Sequence, residues 1–146
     1  MVLTYPTAHL WVGLGCRQGT PLPLFEQALQ RVCRQYSIDW EAIAGLATID
    51  AKQAEPGLLA FSLAQNWPLI YFTQAELERY TVPNPSVVVK AAVGVYGVCE
   101  AAALKAAAQA SLEMQSILMV PKQIFRGSQG LGGVTVAIAT SHPQNL

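Results

Sequence analysis

Charge is scarce in this 146-residue chain. Only 12% of its residues are charged, and nine Lys plus Arg balance nine Asp plus Glu. A chain without net charge has no basic field to attract nucleic acid, and no cluster of Lys and Arg marks a membrane surface. We therefore expect partners other than nucleic acids and membranes. Any electropositive site must be local.

Cysteine and histidine are also few. Cys16, Cys33 and Cys99 form no CxxC pair and are odd in number, which favours a reduced, cytoplasmic protein over a disulfide scaffold. His9 and His142 are the two histidines, and neither they nor the cysteines have the spacing of metal ligands. We expect no metal and no cofactor. A nucleophilic Cys16 is disfavoured because a catalytic cysteine needs a histidine base, and His9 and His142 are expected at the start of the first strand and in the C-terminal tail.

Long apolar runs are absent too. No run approaches the roughly 18 apolar residues of a membrane-spanning helix. The apolar segment 1–16 has no Lys or Arg before it and Arg17 directly after it, which is typical of a first core strand rather than a signal peptide. With 52% hydrophobic residues, the chain is expected to form one domain over residues 1–146 and to leave room for a homodimer interface.

Strand and helix patterns alternate along the chain. Five helices are predicted. The first follows Thr20, which would cap it, and the second begins at about residue 55. The third begins at the capping box TQAE, residues 73–76, the fourth runs from Ser86 to a terminating Gly94, and the fifth covers the alanine-rich segment 97–110. Short apolar runs predict five strands, at residues 9–14, 44–49, 68–72, 117–120 and 134–139.

This alternation predicts an α/β fold, a three-layer α/β/α sandwich around a mixed, mostly parallel five-stranded sheet. No helix separates Val120 from Val134, so we expect the last strand to run antiparallel at one edge. In such sheets ligands bind beyond the carboxyl ends of the strands. The loops that follow the strands are therefore the candidate site.

The first of these loops, GLGCRQGT at residues 13–20, fits neither common phosphate motif. Gln18 stands where GxGxxG needs glycine, and the Gly-Lys-Ser/Thr ending of a P-loop is missing. What remains is a helix N-terminus with N–H groups and Arg17 beside it, which is an anion site of unspecified kind. A carboxylate would satisfy it as well as a phosphate. The alternative is a tight glycine turn with a solvated Arg17.

Charged residues concentrate in the second loop, where Asp50, Lys52 and Glu55 lie within six residues. They are candidates to line a site, although surface charge, and a helix N-cap for Glu55, are open alternatives. Glu100 has a similar alternative, since an acid near the start of the alanine-rich helix compensates its dipole. Asn84 is expected to bond either a ligand or its own backbone.

Five motifs in order, GLGCRQGT, TIDAKQAEPGLLAFSLA, VPNPS, GVYGVCEAAAL and VTVAIA, resemble the CobE family and the related C-terminal domain of CbiG. These are cobalamin-biosynthesis proteins, and the resemblance covers nearly the whole chain. It implies the same α/β/α fold. Departures from the family pattern occur at Gly97 and Thr140. The family pattern marks ten of the ligand-binding candidates, and we add Thr20 to them. The candidates are Gly15, Cys16, Arg17, Gly19, Thr20, Asp50, Lys52, Glu55, Asn84, Ser86 and Glu100.

The resemblance implies a tetrapyrrole ligand, a precorrin whose rim carries acetate and propionate carboxylates. Arg17, Lys52 and Lys122 would meet those carboxylates, while Arg126 is interpreted as solvated in a glycine-rich loop. We expect a protein that binds or delivers this intermediate.

Two other functions stay open at this point. One is a lactone hydrolase of the CbiG type, in which Asp50 or Glu55 activates water and Lys52 or the turn amides hold the oxyanion. The other is a non-catalytic partner of corrin-pathway methyltransferases.

Overall fold

A five-stranded sheet forms the middle of the molecule in the computed structural model, which describes residues 8–50, 55–78, 93–110 and 116–141. Its order is β3-β2-β1-β5-β4. Neighbours among β1, β2 and β3 are parallel, and β5 is antiparallel to both β1 and β4. The strands are β1 (Leu10–Cys16), β2 (Ile43–Ile49), β3 (Leu69–Phe72), β4 (Ile117–Arg126) and β5 (Gly133–Thr140).

Helices cover both faces of this sheet, so the predicted three-layer α/β/α sandwich is confirmed. One core joins α1 and α2 to the sheet, with Phe25 and Phe61 packed over Val12 and Leu14. The other core joins α3 and α4 to the opposite face, where Trp11 lies. The helices are α1 (Leu22–Gln35), α2 (Pro56–Gln65), α3 (Gln74–Glu78) and α4 (Val93–Gln109).

The expected edge position of the antiparallel strand is wrong. β5 lies between β1 and β4, and β4 is the edge strand. The sequence of β5, GVTVAIAT, is a nearly continuous apolar run, and six of its last seven residues are buried. Such a run suits a strand covered on both faces. β4 is also longer than predicted, since it continues through Pro121, which an edge strand tolerates.

Close approach of α4 to β1 explains the alanine-rich sequence. A Cβ at Gly13 would overlap the carbonyl of Cys99 and lie 2.9 Å from the backbone nitrogen of Ala103. Small residues on both elements therefore let the helix backbone rest on the strand. The buried alanines of α4 are Ala101, Ala102, Ala103, Ala106, Ala107 and Ala108.

Three local predictions have mixed outcomes. The capping box is confirmed, because the Thr73 N–H donates to Glu76 Oε1 at 2.8 Å and the Glu76 N–H donates to Thr73 Oγ1 at 3.0 Å. Thr20 does not cap α1, whose N-cap is Pro21. Gly94 lies within α4 and ends no helix there. Among the residues described, no helix has the length and apolarity to cross a bilayer.

Candidate functional site

The carboxyl ends of β1, β2, β3 and β4 lie at one rim of the sheet. β5 is antiparallel to β1 and β4, and both Cys16 and Arg126 end their strands beside its first residues. Asp50 directly follows β2 at the same rim and is partly buried. The fold therefore brings the first loop, the second loop and the β4–β5 hairpin together, where sheets of this type bind ligands.

The turn at residues 17–20 is fixed to the start of β5. The Arg17 N–H donates to the Gly133 carbonyl at 3.0 Å. Thr20 is only 2% exposed, and its hydroxyl donates to the Arg17 carbonyl at 2.7 Å while accepting the Gly133 N–H at 3.1 Å. Thr20 thus holds the two chain segments together instead of capping α1.

An anion already binds this turn, and it belongs to the protein itself. The Gly19 N–H donates to Glu55 Oε1 at 3.0 Å. Glu55 is also the N-cap residue of α2, without a side-chain bond to its own helix. Gly57 brings α2 against the turn, since a Cβ there would overlap the Thr20 carbonyl. An external anion at the Gly19 amide would have to displace this carboxylate.

A cavity of about 320 Å³ opens between the end of β1 and the β4–β5 hairpin. Ile124 is paired with Thr135 and Arg126 with Gly133, so these side chains share one face of the sheet. The Thr135 side chain bonds the Cys99 thiol, which identifies that face as the one covered by α4. The lining residues are Cys16, Arg17, Ile124, Phe125, Arg126, Gly133, Val134 and Thr135.

Two glycines give the cavity its shape. A Cβ at Gly133 would lie 3.1 Å from Cδ of Arg17, so the missing side chain leaves room for the arginine to cross the start of β5. A Cβ at Gly15 would lie 2.6 Å from Oγ1 of Thr135, and here glycine lets the threonine face the cavity.

A second cavity of about 180 Å³ adjoins the first on the α1 side of β4. Arg31 of α1 lies over the Phe125 ring, with Cζ 5.8 Å from the ring centroid, a cation–π distance. Ile124, Phe125 and Arg126 line both cavities. We call the group formed by Arg17, Arg31, Arg126, Ile124 and Phe125 the arginine shelf. No acidic residue from the described part of the chain lines either cavity.

Glu100 lies behind this region on α4. It is 7% exposed, and its Oε2 accepts the backbone N–H of Lys122 on β4 at 2.8 Å. The neighbouring Cys99 is also buried, and burial raises the pKa of its thiol to about 11, with a smaller contribution from the Glu100 carboxylate. The Cys99 thiol is therefore protonated at neutral pH.

Six of the predicted site residues form two groups. Gly15, Cys16 and Arg17 meet at the larger cavity, whereas Gly19, Thr20 and Glu55 form the adjoining turn. Asp50 is at the same rim but not in the cavity lining. Lys52, Asn84 and Ser86 lie outside the described residues.

Sequence reasoning included the segment VPKQIF, residues 120–125, among the candidate loops without singling out Ile124 or Phe125, and it missed Thr135 and Arg31. The predicted fourth strand ended at Val120, so the residues after Pro121 were assigned to a loop and Arg126 to solvent. The available signal was the apolar pair Ile124–Phe125 directly before an arginine. In the described ranges, no group of three or more His, Cys, Asp or Glu side chains lies close enough together to hold a metal ion.

Comparison with known proteins gives concordant matches. A family model described as the cobalamin synthesis G C-terminus matches residues 10–139. The chain is 30% identical over 110 residues to the cobalt-precorrin-5A hydrolase of Priestia megaterium, covering 75% of this chain but only 29% of that protein. It is 31% identical over 117 residues to Protein CobE of a Sinorhizobium species, covering 79% of this chain and 73% of that protein.

Two solved structures share the fold at higher coverage. The crystal structure of CobE, a protein from the cobalamin biosynthetic pathway, superposes with a TM-score of 0.67 at 26% identity, covering 96% of this chain and 94% of that one. The cobalamin biosynthesis protein chiG from Agrobacterium tumefaciens superposes with a TM-score of 0.65 at 28% identity, covering 92% and 99%.

Proposed function

Because the chain belongs to the cobalamin synthesis G C-terminus family of cobalamin-biosynthesis domains, we propose that it binds a precorrin-type tetrapyrrole by the carboxylates on the ring's rim. The observation that carries this proposal is the arginine shelf. Arg17, Arg31 and Arg126 line two adjoining cavities beside the edge strand β4, which carries Ile124 on one face and Phe125 on the other, in a chain whose net charge is zero. Cations around an apolar floor are what a ring with a polycarboxylate rim requires.

The arginine contacts account for only part of the binding free energy that micromolar affinity requires. Each partly exposed arginine–carboxylate contact contributes on the order of 1 kcal/mol. Micromolar affinity corresponds to about 8 kcal/mol. Three arginines therefore supply less than half of it, and burial of the ring against apolar side chains at the edge of β4 must supply most of the rest. A cavity of about 320 Å³ admits one edge of a tetrapyrrole with its side chains. Lys52, Asn84 and Ser86 stay predicted contacts.

The protein would perform this role in the cytoplasm. Cys16, Cys33 and Cys99 are not joined in disulfides, as expected where thiols are kept reduced. Delivery of the bound intermediate to a corrin-pathway enzyme is part of the proposal, because the cavity opens at the rim of the sheet, where a second protein can reach the ligand.

A titration with cobyrinic acid, followed by its visible spectrum and by gel filtration, tests the proposal. Arg17→Ala, Arg31→Ala and Arg126→Ala are each expected to raise Kd about fivefold, and the triple variant about 150-fold, since about 1 kcal/mol is lost at each site. Arg34→Ala is the matched control. Arg34 is exposed in the last turn of α1 and lines neither cavity, so its removal changes the same charge and leaves Kd unaltered.

Two results would contradict the proposal. The first is the absence of both a spectral shift and co-elution with the wild-type chain. The second is a loss of affinity in Arg34→Ala equal to that in Arg126→Ala. Equal losses would mean that the net charge of the protein, and not the position of the arginines in the shelf, determines binding.

A lactone hydrolase is the second candidate, favoured by the names of three relatives. Cobalt-precorrin-5A hydrolases match this chain, although it covers only 29%, 26% and 40% of their lengths. Asp50 is the better candidate base, because Glu55 is bound to the Gly19 amide. Opening of the lactone of cobalt-precorrin-5A by this chain, lost in Asp50→Asn and kept in Arg34→Ala, would favour the hydrolase over a binding protein.

A further inference from the structure

β4 carries two extra residues relative to β5, the first between Leu118 and Val120 and the second just before the arginine shelf. Val120 pairs with Ile138, whereas Gln123 pairs with Val136. Three steps along β4 therefore match two steps along β5. This is a β-bulge, which takes a backbone N–H out of the ladder and bends the strand. The second extra residue lies in the segment formed by Pro121 and Lys122.

The bulge decides which side chains face the larger cavity. With it, Ile124 pairs with Thr135 and Arg126 with Gly133 on the cavity face. Without it, Phe125 would stand opposite Gly133, and Ile124 and Arg126 would point toward α1, because a slip of one residue exchanges the two faces of a strand. The positions of Ile124 and Arg126 therefore depend on the second inserted residue.

A buried carboxylate binds the N–H that the bulge presents. The Lys122 N–H donates to Glu100 Oε2 at 2.8 Å, from a side chain that is 7% exposed. An N···O distance of 2.8 Å is that of a well-formed hydrogen bond. Glu100 is itself fixed in space, since the preceding residue of α4, Cys99, lies against Gly13 of β1.

We propose that Glu100 is a positioning residue that holds the bulge of β4 in place and so keeps Ile124 and Arg126 in the cavity. It acts through the Lys122 amide and does not touch the ligand. The effect on ligand binding rests on the proposed function, whereas the effect on strand register is a property of the chain alone.

Backbone NMR on the isotope-labelled full chain tests the register directly. Wild type and Glu100→Gln are expected to show cross-strand contacts between Ile124 and Thr135 and a slowly exchanging Lys122 amide, because the carbonyl oxygen of glutamine accepts the same bond. Glu100→Ala is expected to lose both signals. Ser116→Ala is the matched control. The Ser116 hydroxyl donates to the Leu104 carbonyl at 2.8 Å and also links α4 to the start of β4, before both register shifts and six residues before Lys122.

The same variants are then titrated with cobyrinic acid. Glu100→Ala is expected to raise Kd at least tenfold, and Glu100→Gln and Ser116→Ala less than threefold. If Glu100→Ala does not fold, Glu100→Asp replaces it, because its carboxylate ends one methylene short of the amide.

The proposal is overturned if Glu100→Ala keeps the Ile124–Thr135 contacts and the slow Lys122 amide, or if Glu100→Gln loses them. A wild-type chain that binds no corrin acid would overturn the proposed function instead, and the NMR spectra would still decide the role of Glu100.

Discussion

A methyl group at Gly13 tests the contact on which the second core depends. In Gly13→Ala the added Cβ would lie 2.8 Å from the Cys99 carbonyl carbon and 2.9 Å from the Ala103 nitrogen, and it would overlap the Cys99 oxygen. Carbon atoms pack best at about 3.5–4.0 Å, so α4 must recede by roughly 1 Å. A gap of that size forfeits up to half of each dispersion contact along the helix. With the usual cost of overpacking, we expect a loss of about 3 kcal/mol.

Urea unfolding, followed by far-UV circular dichroism, measures this loss. Gly130→Ala is the control, because Gly130 has φ +73° and no atom within 4 Å of an added Cβ. This control measures the free energy lost when alanine occupies the left-handed backbone region without any steric overlap, about 1 kcal/mol. The reasoning is refuted if Gly13→Ala unfolds within 0.5 kcal/mol of wild type, or if it costs no more than Gly130→Ala.

Two further predictions concern buried polar groups. Thr20→Val removes the hydroxyl between the Arg17 carbonyl and the Gly133 N–H and should cost about 1–3 kcal/mol in urea unfolding, while Thr20→Ser keeps most of the stability; equal loss in both would refute it. Burial raises the pKa of the Cys33 and Cys99 thiols from 9.0 to about 11, so only about 0.1% is thiolate at pH 8 and both should resist Ellman's reagent until the chain unfolds. Unfolded thiols ionise first as the pH rises, so stability should fall between about pH 9 and 11; native thiols that react as fast as unfolded ones would contradict this.

Local patterns predicted most of the elements, because apolar period and capping are properties of neighbouring residues. The capping box at Thr73 and Glu76 and the helical stripe after Leu24 needed no knowledge of the rest of the chain. Strand order did not follow from such patterns. Whether β5 lies at an edge depends on where β4 is placed, and the partner of the Thr20 hydroxyl lies 113 residues away. Neither could be derived from local sequence.

The candidate site was predicted only where its residues stand next to a recognisable motif. Arg17 follows a strand and a glycine turn, so its position at the rim could be predicted. Arg31 is one of several polar residues on α1, and its place over Phe125 depends on β4 continuing beyond Pro121. The hydrogen bond from the Gly19 N–H to Glu55 was likewise unpredictable. The turn offers an N–H to any anion, and its sequence does not identify which anion accepts it.

The inner position of β5 has a consequence for how the chain folds during synthesis. β1 pairs with β5 from Leu10–Thr140 to Cys16–Val134, so its second ladder joins residues more than a hundred positions apart. Until the ribosome has released residue 140, β1 keeps an open side and β4 has no neighbour in the sheet. Strand pairs that are distant in sequence form slowly. Until they form, the unpaired edges of β1 and β4 are exposed and can aggregate. The sheet is therefore completed only when β5 has been synthesised, and loss of β5 would separate β4 from the three strands β1, β2 and β3.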